Sequence, residues 1–149
     1  QHIEDTAAAN DPMKVRLKVE ATGNPQVVRF LHVLQGADTG VGRDPATVIK
    51  SEDEMFEGVA VRGIVVLFPV NVGAVLTQLT YVAPAGVTHH LITGLTPDSA
   101  YSAQIEPVSG GLRVTVQPGG EQMTDSGGVL QIGDKPIAAD LTYLPLAMR

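Results

Sequence analysis

The adjacent histidines His89 and His90 are the residues of this chain best suited to chemistry, because imidazole binds metals and transfers protons near neutral pH. They lie in an apolar run over residues 87–92 that predicts a strand, and neighbouring side chains of a strand point to opposite faces. The two imidazoles therefore cannot bind one metal ion together, and His32 can join either of them only through the fold. We expect one of the pair to be buried and hydrogen-bonded and the other to be exposed.

The sequence offers candidate ligands for two kinds of metal site. A zinc site needs three or four converging ligands, and the chain contains no cysteine, so a small metal-dependent enzyme would have to use its histidines. Calcium prefers carboxylates and backbone carbonyls, and the loop over residues 36–45 carries Asp38 and Asp44 among glycines. The same residues also suit ordinary turns. Asp38 and Asp44 are therefore candidate calcium ligands, and no other cofactor is indicated.

No arrangement of residues predicts a catalytic site. The nucleophile elbow Gly-x-Ser-x-Gly is missing, and the paired glycines lie between strands rather than before helices, where they would bind phosphate. A glycosidase needs two opposed carboxylates, and the sequence does not show which of the 16 acidic residues face one another. We therefore name no catalytic residue and favour a protein without enzymatic activity.

Aromatic side chains have a large apolar face, so they are the first candidates for stacking on a sugar ring. The chain contains no Trp and three tyrosines, Tyr81, Tyr101 and Tyr143. We expect Tyr101 to lie in the core. The candidate ligand-binding residues are therefore Tyr81 and Tyr143, together with His89 and His90.

These candidate residues must be positioned by short segments in which apolar and polar residues alternate. Residues 13–20 place four apolar and four charged side chains in strict alternation, so a strand there has one apolar face for burial and one charged face for solvent. Similar runs recur to residue 132, and residues 27–34 and 63–70 are apolar enough to be buried on both faces. No window has a sustained helical period. The pattern predicts an all-β fold, an antiparallel β-sandwich of about ten short strands with little helix.

The 149 residues have the length of one domain. Residues 1–12 are small and polar and end in proline, which predicts a flexible N-terminal arm. Residues 13–149 then form a single β-sandwich domain, whose apolar tail at residues 141–146 either packs on a sheet or contacts a partner. Because the sequence opens at Gln1, we interpret it as a processed mature chain or an excised fragment.

Charge and hydropathy exclude two kinds of partner. The net charge is −6 and the 10 basic residues are scattered, whereas nucleic-acid binding needs clustered Lys and Arg. The longest apolar run, residues 64–70, is far shorter than the roughly 20 residues that span a bilayer. We therefore predict no nucleic-acid partner and no membrane insertion.

One short sequence motif indicates a specific structural role. Residues 93–101 read Thr-Gly-Leu-Thr-Pro-Asp-Ser-Ala-Tyr, similar to the Gly-Leu-x-Pro-x-x-x-Tyr phrase that precedes a strand in fibronectin type III domains. In those domains the Leu and the Tyr pack a corner of the sandwich, and the Pro fixes the turn. The resemblance implies that Leu95 and Tyr101 lie in the core. The chain's length and its lack of Trp do not match that family as a whole.

Three longer phrases resemble another group of proteins. They are Arg-Phe-Leu-His-Val-Leu-Gln-Gly-Ala-Asp at residues 29–38, His-His-Leu-Ile-Thr-Gly-Leu-Thr-Pro at residues 89–97, and Asp-Ser-Gly-Gly-Val-Leu at residues 125–130. Together they resemble the C-terminal β-sandwich region of heparinase II/III-like polysaccharide lyases and related secreted bacterial carbohydrate-active proteins. In that family a helical toroid carries the tyrosine and histidine of the elimination reaction, and nothing in this chain matches the toroid. The resemblance implies an accessory β module separated from its catalytic partner, with no catalytic residue carried over.

The sequence therefore predicts a non-catalytic, secreted or periplasmic β-sandwich module of a carbohydrate-active system, which supports a catalytic domain or binds a polysaccharide weakly. An alternative from a different class is a structural subunit of an extracellular assembly, a homo-oligomer joined by exchange of a strand or of the arm. The physical basis of that alternative is an exposed sheet edge, whose backbone N–H and C=O groups can form hydrogen bonds with a strand of a neighbouring chain.

Overall fold

The computed structural model describes residues 2–5, 15–71, 73–75 and 77–133, and these contain eleven strands and no helix. Accordingly, nothing in these ranges is a helix of the length and hydropathy that a membrane span requires. The chain divides into two compact units, Gln1–His32 and Val33–Arg149. In chain order the strands are β1 (His2–Asp5), β2 (Val15–Lys18), β3 (Ala46–Lys50), β4 (Phe56–Val61), β5 (Ile64–Pro69), β6 (Leu79–Pro84), β7 (His89–Ile92), β8 (Ala100–Val108), β9 (Gly111–Pro118), β10 (Gln122–Met123) and β11 (Leu130–Ile132).

The first unit contains a two-stranded antiparallel sheet of β1 and β2, in which His2 lies opposite Lys18 and Asp5 opposite Val15. β2 occupies the middle of the strand predicted at residues 13–20. β1 was not predicted, because its four residues were included in the N-terminal arm. The rest of that arm lies outside the described residues, so the arm and its boundary with the β-sandwich domain stay predictions.

The apolar segment at residues 27–34, predicted as a central strand, pairs with no strand in the described part of the chain. Val27 is 85% exposed, and Phe30 and Leu31 are exposed as well. The expected strand is therefore wrong for this structure. Periodicity indicates which faces of a segment are apolar, but a strand also needs a neighbour that satisfies its backbone N–H and C=O groups.

The second unit is built from two sheets. The five-stranded sheet has the order β11-β7-β5-β4-β3, and the four-stranded sheet has the order β10-β8-β9-β6. Neighbouring strands are antiparallel except β5 and β7, which run parallel with Val65 opposite His90. The prediction of an all-β, sandwich-like fold of about ten short strands is confirmed. The parallel pair is the feature that the alternation did not indicate.

The space between the two sheets holds one hydrophobic core, because alternate residues of each strand point inward. Phe56, Val65 and Leu67 from the five-stranded sheet have no exposed surface, and neither do Tyr81 and Val114 from the four-stranded sheet. The core therefore receives large side chains from both layers.

Backbone hydrogen bonds also connect the two sheets along one side. Ser51, directly after β3, forms an isolated antiparallel bridge with Tyr81 of β6. The Glu52 N–H donates to the Thr80 carbonyl oxygen over 2.8 Å. The buried Ser51 hydroxyl accepts the Phe56 N–H over 2.9 Å, so the segment after β3 is fixed at both ends. These bonds hold β3 of one sheet beside β6 of the other.

The outward side of the five-stranded sheet carries a group of apolar residues next to the Lys50–Glu57 ion pair. Val48, Val59, Val66 and Leu91 lie in register across β3, β4, β5 and β7, and Phe68 lies one row away. We call these five residues the apolar outer face. Val48 is 64% exposed and Phe68 is 45% exposed. β5 is thus fully buried only on its inward side, although its apolar sequence predicted burial on both sides.

Candidate functional site

Tyr81 and His90 meet in the middle of the core. Tyr81 belongs to β6 in the four-stranded sheet and His90 to β7 in the five-stranded sheet, and strand alternation turns both side chains inward. The Tyr81 hydroxyl lies 2.7 Å from His90 Nδ1, and the rings meet edge to face. Tyr81 is 0% exposed and His90 is 1% exposed. Both were candidate ligand-binding residues, and here their polar atoms meet each other away from the surface.

The neutral Tyr81–His90 pair carries two buried protons, the phenol O–H and one ring N–H, and only one of them can form the hydrogen bond between the two side chains. If the Tyr81 hydroxyl donates to Nδ1, neutral His90 carries its proton on Nε2, which has no hydrogen-bond partner among the described residues. If Nδ1–H donates to the Tyr81 oxygen instead, the phenol proton is the one without a partner there. Neither tautomer satisfies both groups, so the pair stores an unfavourable free energy that the surrounding core must offset.

Burial sets the protonation state of both groups. Desolvation, and to a smaller extent the neighbouring His89, lowers the pKa of His90 to about 4. Desolvation also raises the pKa of the Tyr81 phenol well above its ordinary value. Because a charge on either group would be poorly solvated, both are neutral near neutral pH. Tyr81 and His90 therefore form a neutral polar contact between the two sheets.

His89 lies on the opposite side of β7, as the strand period requires. It is half-buried, and its Nδ1 lies 2.8 Å from the Thr88 hydroxyl oxygen. Its Nε2 is buried and has no hydrogen-bond partner in the described ranges. His89 and His90 thus face different surroundings. Within the described residues, no three side chains of His, Asp or Glu are grouped so that they can hold a metal ion.

Asp38 and Asp44 have separate surroundings in their loop. The Asp38 carbonyl oxygen accepts the Val41 N–H over 3.1 Å, which closes a turn. The Asp44 carboxylate pairs with Arg62, and the Asp44 backbone exchanges hydrogen bonds of 2.9 and 3.0 Å with the Gln35 side chain. The charge of Asp44 already has a protein partner, so a calcium ion there would compete with Arg62. Calcium binding by these two residues stays a prediction.

Tyr101 fixes the corner between β7 and β8. Its side chain is 2% exposed, and its hydroxyl accepts the Thr96 N–H over 3.1 Å. Leu95 is 3% exposed and belongs to the same core cluster. The placement of Leu95 and Tyr101 in the core, expected from the phrase that contains them, agrees with the structure.

Thr124 is a buried polar residue that the sequence analysis missed. Its hydroxyl donates to the Thr96 carbonyl oxygen over 2.7 Å and accepts the Ser99 N–H over 2.9 Å. One side chain thus connects the segment after β10 to the corner before β8. No sequence pattern distinguishes Thr124, because a threonine in a polar segment looks the same whether it is buried or exposed.

Asp125 and Gly128 form the turn that follows. Asp125 Oδ1 accepts the N–H groups of Gly127 and Val129, each over 2.9 Å. Gly128 has a φ of 73°, and its carbonyl oxygen accepts the Leu95 N–H over 3.1 Å. A Cβ on Gly128 would lie 2.3 Å from the Leu95 carbonyl oxygen. The Asp-Ser-Gly-Gly phrase therefore shapes a turn that packs on the corner.

The candidate ligand-binding residues do not line either of two grooves on the described surface. One has a volume of about 240 Å³, and its lining includes Glu52, Thr80 and Gln117. The other has a volume of about 290 Å³, and its lining includes Met123 and Asp125. Both fall below the roughly 300–1,000 Å³ of small-molecule pockets. Neither lining contains a histidine or a tyrosine, and Tyr143, the remaining candidate, lies outside the described residues.

The fold and these contacts define a sandwich-like all-β protein whose buried polar residues connect its sheets and corners. Comparison with models of protein families, with curated proteins and with solved structures found no match. The feature of functional interest that the sequence analysis missed is the apolar outer face. One sign of it in the sequence was the apolar character of β5 at its outward positions, which was interpreted as burial on both sides.

Proposed function

We propose that this protein is a non-catalytic β-sandwich module of an extracytoplasmic carbohydrate-active system, and that it supports a catalytic domain by protein–protein contact. The apolar outer face carries this proposal. Val48 and Phe68 project from it with 64% and 45% of their surface exposed. Val59, in register beside Val48, is only 8% exposed, so the exposed part of this face consists of Val48 and Phe68. Large exposed apolar side chains on one face of a sheet suit a docking surface. The resemblance to the β-sandwich region of polysaccharide lyases supplies the kind of partner.

The position of the tyrosines favours the supporting role over strong glycan binding. Tyr81 is 0% exposed and Tyr101 is 2% exposed, so neither ring offers a face to a sugar. His90 is buried beside Tyr81. Among the described residues, an exposed aromatic ring is offered only by Phe30 and Phe68, which lie in different parts of the chain and form no tyrosine platform for a sugar ring. Any polysaccharide affinity of this module is therefore weak.

The experiment for this proposal uses the helical catalytic domain of a heparinase II/III-like lyase, mixed with the full chain and followed by sedimentation velocity. We expect a one-to-one complex. Phe68→Lys places a charge in the apolar outer face and should weaken the complex about tenfold or more. The matched control is Val82→Lys, since Val82 is 41% exposed and lies on the other sheet. This control should leave the affinity within about twofold of the wild type.

Absence of any complex with the catalytic domain, or a complex that tolerates Phe68→Lys, contradicts the supporting role. Affinity electrophoresis against acidic and neutral polysaccharides tests the remaining half of the proposal. Strong retardation of the full chain by a polysaccharide would transfer the function to glycan binding.

A second candidate is a structural subunit joined by strand exchange, and a different observation favours it. Among the described residues, most of one side of β8 has no neighbouring strand, because β10 pairs only with Ala100 and Tyr101 at its beginning. An open edge of this length is a template for a strand from another chain.

A further inference from the structure

We propose that the Tyr81–His90 contact holds one edge of the five-stranded sheet closed, and that this edge opens in mild acid while the other strands of the sheet stay paired. The edge consists of β7 (His89–Ile92) and β11 (Leu130–Ile132), which we call the terminal strand pair. His90 connects this pair to the opposite sheet, because its Nδ1 lies 2.7 Å from the Tyr81 hydroxyl oxygen. The change is internal to the module, so it does not depend on the docking function proposed above.

The terminal strand pair is joined to the rest of its sheet by a short boundary. β7 pairs in parallel with β5 over four residues, from Ile64 opposite His89 to Leu67 opposite Ile92. By contrast, β4 pairs with β5 over six residues and in antiparallel orientation. Parallel pairs are slightly less stable per residue than antiparallel ones. Separation between β5 and β7 therefore costs less pairing than separation between β4 and β5.

Other contacts keep β7 and β11 together when they separate from β5. The two strands are antiparallel, with Ile132 opposite His90. Just beyond the strands, the Leu95 N–H donates to the Gly128 carbonyl oxygen over 3.1 Å. Because Leu95 follows β7 and Gly128 precedes β11, this bond ties the two segments at one end. The terminal strand pair can therefore move as one unit.

The remaining strands of the sheet are attached to the opposite sheet without His90. Ser51, directly after β3, forms a backbone bridge with Tyr81 of β6. The Glu52 N–H donates to the Thr80 carbonyl oxygen over 2.8 Å. These backbone groups do not titrate, so they are unaffected by mild acid. Loss of the imidazole contact therefore leaves β3, with β4 and β5 paired to it in turn, beside β6.

In the described core, no carboxylate is available to stabilise a positive charge on His90. The side chains that adjoin it are Tyr81 on β6, Val65 on β5 and Ile132 on β11. Of these, Tyr81 alone titrates, and burial keeps its phenol neutral. His89, the next residue on β7, points to the other side of the sheet and disfavours a second positive charge. The other buried polar side chains of the described core are hydroxyls.

Protonation of His90 therefore destabilises the closed form. The imidazolium has two N–H donors, and the Tyr81 hydroxyl oxygen can accept only the one on Nδ1. The donor on Nε2 is buried and has no partner among the described residues. Opening of the terminal strand pair brings the ring into water, which solvates the charge and accepts both protons. Acid thus favours an opening at the strand that carries the histidine.

The size of the effect depends on how much more tightly the open form binds the proton than the closed form. Burial holds the pKa of His90 at about 4 in the closed form, and exposure to water returns it to 6.5. Neutral His90 therefore stabilises the closed form fully above pH 6.5, and this stabilisation is lost as the pH falls toward about 4. Between about pH 7.5 and about pH 5, the equilibrium constant for opening rises about 25-fold.

Native-state hydrogen exchange of the full chain, measured by mass spectrometry at about pH 7.5 and about pH 5 in low concentrations of urea, tests the proposal. Each exchange rate is divided by the intrinsic rate at the same pH. We expect the opening that exposes the amides of the terminal strand pair to depend less on urea than the opening that exposes those of β4 and β9, because it exposes less surface. The protection of the terminal strand pair should fall about 25-fold between the two pH values.

His90→Gln keeps a neutral polar side chain but does not titrate, so it should reduce this fall in protection to less than about twofold. The matched control is His89→Gln, the same substitution one residue earlier on the opposite side of β7. This control should keep most of the fall, because His89 contributes only the smaller cause of the pKa shift of His90. Circular dichroism confirms that each variant is folded, and His90→Leu replaces His90→Gln if the latter does not fold.

Two results in the wild-type chain overturn the proposal. One is equal protection and equal urea dependence in the terminal strand pair and in β4 and β9, which would assign the opening to global unfolding. The other is a fall in protection of less than about threefold between the two pH values. A fall in His90→Gln as large as that in the wild type also overturns it. No partner is present in these measurements, so they leave the test with the catalytic domain independent.

Discussion

The Tyr81 hydroxyl and His90 Nδ1 lie 2.7 Å apart and join the two sheets of the sandwich through their side chains. This contact lies inside an otherwise apolar layer, and His90 Nε2 has no partner in the described part of the chain. The arrangement tolerates a neutral imidazole but not an imidazolium, because the charged ring would add a poorly solvated charge to an unsatisfied donor. The stability of the fold is thereby coupled to the protonation of one histidine.

The first prediction is a loss of stability in mild acid. The pKa of His90 is lowered from 6.5 to about 4 by burial. The unfolded chain therefore binds a proton at higher pH than the folded chain. The stabilisation from neutral His90 is complete above pH 6.5 and is lost as the pH falls toward about 4, by about 3 kcal/mol in total. Urea unfolding at a series of pH values between 7.5 and 4 measures it.

His90→Gln removes the titrating group and should flatten this part of the stability profile. The matched control is His89→Gln, because His89 contributes only the smaller cause of the pKa shift. That control should keep most of the pH dependence. An unchanged slope in His90→Gln would show that other groups determine the acid sensitivity.

The corner hydroxyl of Tyr101 provides a second prediction. Tyr101→Phe keeps the ring in the core but leaves the Thr96 N–H without its acceptor. We expect the free energy of unfolding to fall by about 1–2 kcal/mol. Ser99→Ala is the control, because the Ser99 hydroxyl donates to the Pro97 carbonyl at an exposed position and its loss should cost less than about 0.5 kcal/mol. Equal effects of the two variants would argue against a structural role for the corner.

Thr124 provides a third prediction, since its hydroxyl bridges two segments. Thr124→Val preserves the shape of the side chain but leaves the Thr96 carbonyl and the Ser99 N–H without that partner. The expected loss is about 2 kcal/mol, measured by chemical denaturation. Thr115→Val is matched in chemistry, but its hydroxyl makes only a 3.4 Å contact with Thr80. A destabilisation by Thr115→Val as large as that by Thr124→Val would refute the bridging role.

Gly128 provides a fourth prediction. Gly128→Ala would need a φ of 73° and would place Cβ 2.3 Å from the Leu95 carbonyl oxygen, so both the backbone conformation and the packing oppose it. We expect a destabilisation of more than about 1 kcal/mol and a lower melting temperature. At Gly36 nothing lies within 4 Å of an added Cβ, and no unusual φ is required. Gly36→Ala should therefore be nearly neutral, and a normal melting temperature for Gly128→Ala would disprove the close approach.

The sequence predicted the strands of the second unit well because each has apolar and polar positions that alternate with a clear period. β8 and β9, for example, were expected at residues 100–106 and 112–117 and are found at Ala100–Val108 and Gly111–Pro118. The Leu95 and Tyr101 corner was predictable because its phrase carries turn residues at fixed positions. Two-residue β10 was missed because it is too short to show a period.

Pairing and environment were harder to predict than the strands themselves. The segment at residues 27–34 has the composition of a central strand, and only the three-dimensional arrangement shows that it forms no strand in the described part of the chain. Tyr81 was expected at a ligand site and lies in the core, because a tyrosine at an inward position of a strand is indistinguishable in sequence from one at an outward position. Which face of a strand is covered depends on the other sheet, and a single sequence does not specify that.

The order of the strands has a consequence for the synthesis of the protein. The chain passes from the five-stranded sheet to the four-stranded sheet at β6, returns at β7, leaves again at β8, and comes back at β11. Leu130 and Ile132 of β11 belong to the core that the earliest strands of both sheets share. During synthesis on the ribosome, the hydrophobic core therefore stays incomplete until β11 has emerged. The core of this unit can therefore be completed only after nearly all of its strands have been translated, and contacts between distant parts of the chain slow its folding.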